Sequence, residues 1–227
     1  MTTQSVPQTV SGAKSDYIVA KFGGTSVANF EAMSRCSEII VADKSVRIVA
    51  VSASAGVTNH LVALCKPDLS KEQRQTHIDG VLAIQQAILD ELSLDADLAV
   101  GFNETLKAFQ TLALETLTTD QQHDELLSFG ERLSSYLFAQ VLRLKGLNAD
   151  RFDVRKVLKT DSQFGKATPD VAATAQAAKD LLIPLLDEQV IVTQGFIGSD
   201  EFGQTTTLGR GGSDYSAALL AEAINAK

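Results

Sequence analysis

The chain has 227 residues, 44% of them hydrophobic and 21% charged, values of an ordinary folded globular protein with enough length for a real core. Its formal net charge is −8, which argues against nucleic acid or an anionic membrane surface as the main partner, since both call for a basic face. No apolar run is long enough to span a bilayer.

Residues 1–15 are polar and read as a loose tail without the pattern of a signal peptide. The two cysteines, Cys36 and Cys65, have no metal spacing and form no disulfide framework. They read as plain thiols in a reducing cytoplasm.

Ordered structure is expected from Tyr17. Tyr17–Lys21 is short, apolar and β-branched, a strand, and FGGTS after it is a glycine turn. A helix follows from about Asn29, with Asn29 as its N-cap. Val46–Val51, apolar but for Arg47, is a strand, buried on both faces if it lies in a parallel sheet. Ser52–Gly56 is a loop of small residues, and a helix begins near Thr58. Strand, small-residue loop and helix thus occur twice, which implies parallel strands with helical crossovers.

From about Lys71 to Leu147 the apolar spacing is helical, with a third helix over Asp124–Leu144. A strand is expected to start within Asn148–Asp153. Pro169 and Asp170 are read into the first turn of the next helix. Glu188–Gln194 is a buried strand, and GSDEFGQTTT has the residues of a hairpin turn.

Four loops rich in glycine or serine leave these strands: KFGGTS, SASAGVT, GFIGSD and GRGGSD. Ligands of open α/β sheets bind beyond the carboxyl ends of the strands. One such loop is ordinary turn geometry, but four of one polarity suggest a cradle for an anion, read as a phosphate. Lys21, at the end of the first strand, can reach a phosphate as a point charge. Alone it also reads as a solvated strand-end lysine.

In GRGGSD, Ser213 can cap a helix over Asp214–Ala223, and Asp214 suits the dipole of its first turn. Neither explains Arg210. An arginine between two glycines adds nothing to the helix but can present a planar fork to a carboxylate or phosphate. The phosphate-loop pattern G-x-x-x-x-G-K-[ST] and the dinucleotide pattern G-x-G-x-x-G are both absent, as is a G-x-S-x-G nucleophile elbow. His60, His77 and His123 are scattered and read as solvated or structural. Glu131, alone, reads as a surface carboxylate on its helix.

KFGGTSVAN, VSASAGVTN, SFGERLS, TQGFIGSD and TTTLGRGGSDYSAALLAEA, in this order, resemble the aspartate kinases of the amino acid kinase superfamily. The detail is most similar to the lysine-sensitive bacterial class, and the resemblance covers nearly all of residues 17–225. It implies a three-layer αβα sandwich on a mainly parallel sheet. It implies transfer of the γ-phosphoryl of ATP, carried with Mg²⁺, to the side-chain carboxylate of L-aspartate. Lys21, Phe22, Gly23 and Gly24 match the nucleotide-phosphate loop. Lys21 would neutralise the phosphoryl group in flight, and Asp214 matches the acid that holds it. Thr58, Glu131, Arg210 and Ser213 match aspartate-binding positions, with Glu131 on the ammonium and Arg210 on a carboxylate. A cytoplasmic homodimer is implied for the full-length enzyme.

The resemblance also has a gap. The adenine- and ribose-binding stretch and the ACT regulatory domains of the family have no counterpart here. Residues 16–227 are therefore expected to be an incomplete kinase domain that binds ATP poorly, turns over little or not at all, and self-associates through open sheet edges. Two rivals stay open: a kinase of glutamate or acetylglutamate, and a non-catalytic amino-acid-binding module.

Overall fold

The computed structural model of the chain describes residues 15–227. Of the tail expected over residues 1–15, residues 1–14 lie outside the described part. Ser15 is tied down, its backbone N–H donating to the Asn225 carbonyl at 2.9 Å.

The elements follow in the order β1 (Ile18–Phe22), α1 (Phe30–Ala42), β2 (Val46–Val51), α2 (Val57–Leu64), α3 (Lys71–Leu89), α4 (Ala96–Ala113), α5 (Asp120–Leu144), β3 (Ala149–Arg151), α6 (Val171–Ala177), β4 (Val190–Gln194), β5 (Ile197–Ser199), β6 (Thr205–Thr207) and α7 (Gly212–Ala223). The main sheet has the order β1-β2-β4-β3, every pairing parallel. β5 and β6 form the expected antiparallel hairpin beside it.

Alternation along the strands builds the layers. Val49, Val51 and Val192 face a core shared with Met33 of α1, Leu61 of α2, Phe102 of α4 and Phe129 of α5. Ile48 and Ile191 face the opposite core, with Leu182, Leu219 and Leu220. Period-2 side chains on both faces of a parallel sheet need helices on both sides. The result is the expected αβα sandwich.

Local chemistry set most boundaries. Asn29 caps α1, its Oδ1 accepting from Ala32 N–H at 2.8 Å. α5 starts four residues before the expected Asp124, at Asp120, because Thr119 and Gln122 form a capping box. Pro169 is not in a helix. It bridges to Thr160, and Asp170 is the N-cap of α6, its carboxylate accepting from Ala173 N–H at 2.9 Å. α6 then loosens into a π turn over Ala178–Leu182 and a 3₁₀ turn at Ile183–Leu185. Pro184 lacks the N–H that would continue the α ladder.

The histidines are less scattered than their numbers suggest. His60 Nδ1 of α2 and His77 Nδ1 of α3 stand 3.2 Å apart. Burial and the neighbouring His60 ring hold His77 below the usual histidine range. Cys36 and Cys65 are half-buried free thiols, and burial pushes Cys65 up to about 11.

Candidate active site

Beyond the carboxyl ends of β1 and β2 lies a cavity of about 490 Å³. Lys21 and Gly24, the Ser52–Gly56 loop, Thr58, Glu131, Gly165, Phe196 and Gly209–Asp214 line it. Of the nine residues singled out from the sequence, Lys21, Gly24, Thr58, Glu131, Arg210, Ser213 and Asp214 share this wall. Phe22 and Gly23 sit at the end of β1 and in the turn behind it. Three of the four small-residue loops form the cradle. GFIGSD contributes only Phe196, because its Ile197–Ser199 pairs with β6.

At one end Lys21 Nζ lies 2.8 Å from Asp214 Oδ1. This pair joins the end of β1 to the first turn of α7. Gly24 lets the two glycine loops close up, since a Cβ there would come within 2.9 Å of the Ala53 carbonyl.

Ser213 does not cap α7. The helix begins at Gly212, and Gly211 is its N-cap with φ 79° and no side-chain cap bond. A left-handed glycine turns the chain into the helix, so Ser213 lies within the first turn. There it packs on Gly195, where any Cβ would approach Ser213 Cβ to 2.9 Å. Arg210 is exposed at the cavity mouth.

Glu131 is buried, at 6% exposure, in contrast to the surface position that its place on the helix, taken alone, suggested. α5 is covered on nearly all sides from Leu126 to Leu142, so this helix has no solvent face at Glu131. Burial pushes its carboxyl up to about 8, against the pull of the Ala53 backbone N–H. The side chain is thus a neutral acid at neutral pH while no cation faces it.

Three contributors escaped the sequence reading. Asp124 of α5 is buried and accepts from Gly165 N–H at 2.8 Å, Thr207 N–H at 2.8 Å and Thr207 Oγ1 at 2.7 Å. Phe196 holds φ at 70°, a conformation that a bulky residue rarely adopts. Its N–H donates to Ser216 Oγ at 2.8 Å, which fixes the strand exit against α7. Ser54, 1% exposed, lines the cavity with a hydroxyl that has no hydrogen-bond partner among the described residues. An acidic residue near a helix start signals only favourable dipole placement, so Asp124 carried no readable clue. Among the described residues no group of three or more His, Cys, Asp and Glu is placed to hold a metal ion.

Comparison with known proteins places the chain in a family. Residues 16–227 match the model of the amino acid kinase family. The chain is 48% identical over 214 residues to the lysine-sensitive aspartokinase 3 of Escherichia coli K12, covering 93% of this chain and 47% of that protein. It is 38% identical over 210 residues to the aspartokinase of Chlamydia trachomatis, covering 92% of this chain and 47% of that one. A crystal structure of E. coli aspartokinase III in complex with aspartate and ADP superposes with a TM-score of 0.88, over 92% of this chain and 47% of the other. The chain thus spans about half the length of the curated relatives it matches. With a family match over residues 16–227 and the αβα fold it requires, the chain belongs to the amino acid kinase family.

Proposed function

We propose that the chain carries the amino-acid and phosphate-binding part of an aspartate kinase, which moves the γ-phosphoryl of ATP to the β-carboxylate of L-aspartate and yields 4-phospho-L-aspartate. The observation that carries this reading is the meeting of Lys21, Glu131 and Arg210 around one cavity, one cation and one buried acid at fixed depth and a second cation at the mouth. The 48% identity to the E. coli enzyme, and the aspartate and ADP bound in its crystal structure, support it.

The chemistry suits these residues. Phosphoryl transfer relies on positioning and charge neutralisation. The acceptor carboxylate is already ionised at neutral pH, so the site needs no general base. Lys21 neutralises the phosphoryl group in flight, and Asp214 keeps it in place. Phe22, Gly23 and Gly24 let backbone approach the phosphates. Mg²⁺ arrives with ATP as part of the substrate. Glu131 receives the substrate ammonium, which supplies the cation it lacks. Arg210 forks onto a substrate carboxylate, while Thr58 and Ser213 add hydroxyl donors. The physiological protein is a cytoplasmic homodimer in this reading.

The test is calorimetric titration of L-aspartate into residues 1–227, beside Arg210→Ala. Binding by the parent and its loss in the variant is expected. Equal binding by both would remove Arg210 from the site. No binding to a folded parent would overturn the reading that these residues suffice for the amino-acid half-site.

A further inference from the structure

Asp124 precedes Glu131 by seven residues on α5, so both lie on one face of the helix, two turns apart. The Asp124 carboxylate is 1% exposed and filled by three donors from two other segments. A carboxylate is suited to this, because its oxygens only accept. Both segments reach the cavity: Gly165 and Thr207 line it. Thr207 is the last residue of β6, three residues before Arg210.

The opposite wall is registered on the same helix. Ser134 Oγ donates to the Ser52 carbonyl at 2.6 Å. The Ala53 N–H holds the Glu131 carboxyl. At Gly130 the helix touches the Ala53 methyl, where a Cβ would come within 2.6 Å. One end of α5 therefore holds the loop that leads to Arg210. The next two turns hold Glu131 and the Ser52–Gly56 loop.

We propose that Asp124 is a positioning residue that sets the spacing between the Glu131 carboxyl and the Arg210 loop, and through it the length of the amino acid that the cavity accepts. The proposal rests on the reading of this cavity as an amino-acid site. With the ammonium on Glu131 and the side-chain carboxylate on Arg210, that spacing measures the ligand, because the α-carboxylate shares the ammonium's own carbon in aspartate and glutamate alike. One added methylene is rejected by about 10–200-fold where the walls are rigid. Where the Arg210 loop floats, it follows the longer ligand and the discrimination fades.

The test titrates L-aspartate and L-glutamate into the 227-residue chain, Asp124→Asn and Thr207→Val, and reads amide exchange at Gly165 and residues 207–213 in the same samples. Asn keeps the shape of Asp124 but removes its charge and leaves one acceptor oxygen where three donors converge. The parent is expected to prefer aspartate by about tenfold or more. In Asp124→Asn that ratio falls toward one, and the Gly165 and Thr207 amides exchange about tenfold faster, a local opening. Thr207→Val, which loses only the hydroxyl bond, falls between. An unchanged ratio in folded Asp124→Asn overturns the proposal. If Asp124→Asn fails to fold, a parental ratio in Thr207→Val overturns it equally. If the parent binds neither amino acid, the amino-acid reading fails. The hold on the loop is then judged by exchange alone: faster amides in Asp124→Asn support it, and unchanged amides overturn it.

Discussion

Lys21 Nζ and Asp214 Oδ1 stand 2.8 Å apart, although 193 residues separate them in the chain and the Asp214 side chain is 77% exposed. An ion pair this open contributes only about 0–1 kcal/mol to stability. Its structural effect is placement, since it ties the lysine at the end of β1 to the first turn of α7. Asp214→Asn is therefore expected to lower the melting temperature by no more than about 4 °C, given about 2–4 °C per kcal/mol at this size. A larger drop, read by circular dichroism, would make the pair a structural element.

Glu131 should govern the pH dependence of stability around the site. Its carboxyl titrates near 4.5 in the unfolded chain and is pushed up to about 8 in the folded one. A raised folded value favours the fold most below pH 4.5. That contribution is lost as pH rises from 4.5 to about 8 and changes no further above it. Glu131→Gln removes the effect. The variant should match the parent at pH 4.5 and exceed it at pH 8 by on the order of a few kcal/mol. Urea unfolding at pH 4.5, 6 and 8 checks this, and a constant difference between the two proteins across the three would sink it.

The same group predicts a proton signature on binding. An ammonium entering the cavity meets a neutral Glu131, which must ionise to pair with it. L-Aspartate titrated at pH 7 in buffers of different ionisation enthalpy should show close to one proton released, and Glu131→Gln should show none. Zero release by the parent would mean that the ammonium docks elsewhere.

Gly130 packs α5 closely on the Ser52–Gly56 loop and α2, with a would-be Cβ 2.6 Å from Ala53 Cβ and 3.2 Å from Leu61 Cδ1. Gly130→Ala gains helix propensity but overpacks this contact, a net loss of about 1–3 kcal/mol. Combining it with Ala53→Gly should recover part of the loss, as a double-mutant cycle would show. Additive losses would mean that the clash is relieved elsewhere.

Ser216 Oγ accepts from Phe196 N–H at 2.8 Å and donates to the Gly212 carbonyl at 2.6 Å. Ser216→Ala leaves that N–H without its partner beside a left-handed Phe196. The expected loss is about 1–3 kcal/mol, read as a lower urea midpoint. A midpoint within error of the parent would show that Phe196 keeps its conformation without the bond.

Much of the architecture was legible from residue periodicity. β2 spans Val46–Val51, the stretch whose apolar character, interrupted at Arg47, marked it, because both faces of a central parallel strand are buried. Asn29 announced α1 because a capping oxygen acts within three residues. Errors arose where local signals compete. Pro169 suits a first helical turn, yet its partner is Thr160 across a bridge, and Ser213 suits an N-cap, yet Gly211 takes that place. Serine caps from an extended backbone, and the chain enters α7 left-handed instead.

The sequence by itself determined the alternating strands and helices, the family that five ordered motifs mark, and the residue types around the cavity. Those depend on neighbours within a few positions or on the motifs themselves. Only the tertiary structure decided that Glu131 is buried and neutral and that Asp124 gathers Gly165 and Thr207. The physical reason is sequence distance: the partners of Asp124 lie 41 and 83 residues away. Burial of a carboxylate on a helix is settled by what packs over it, and that is information no local window carries.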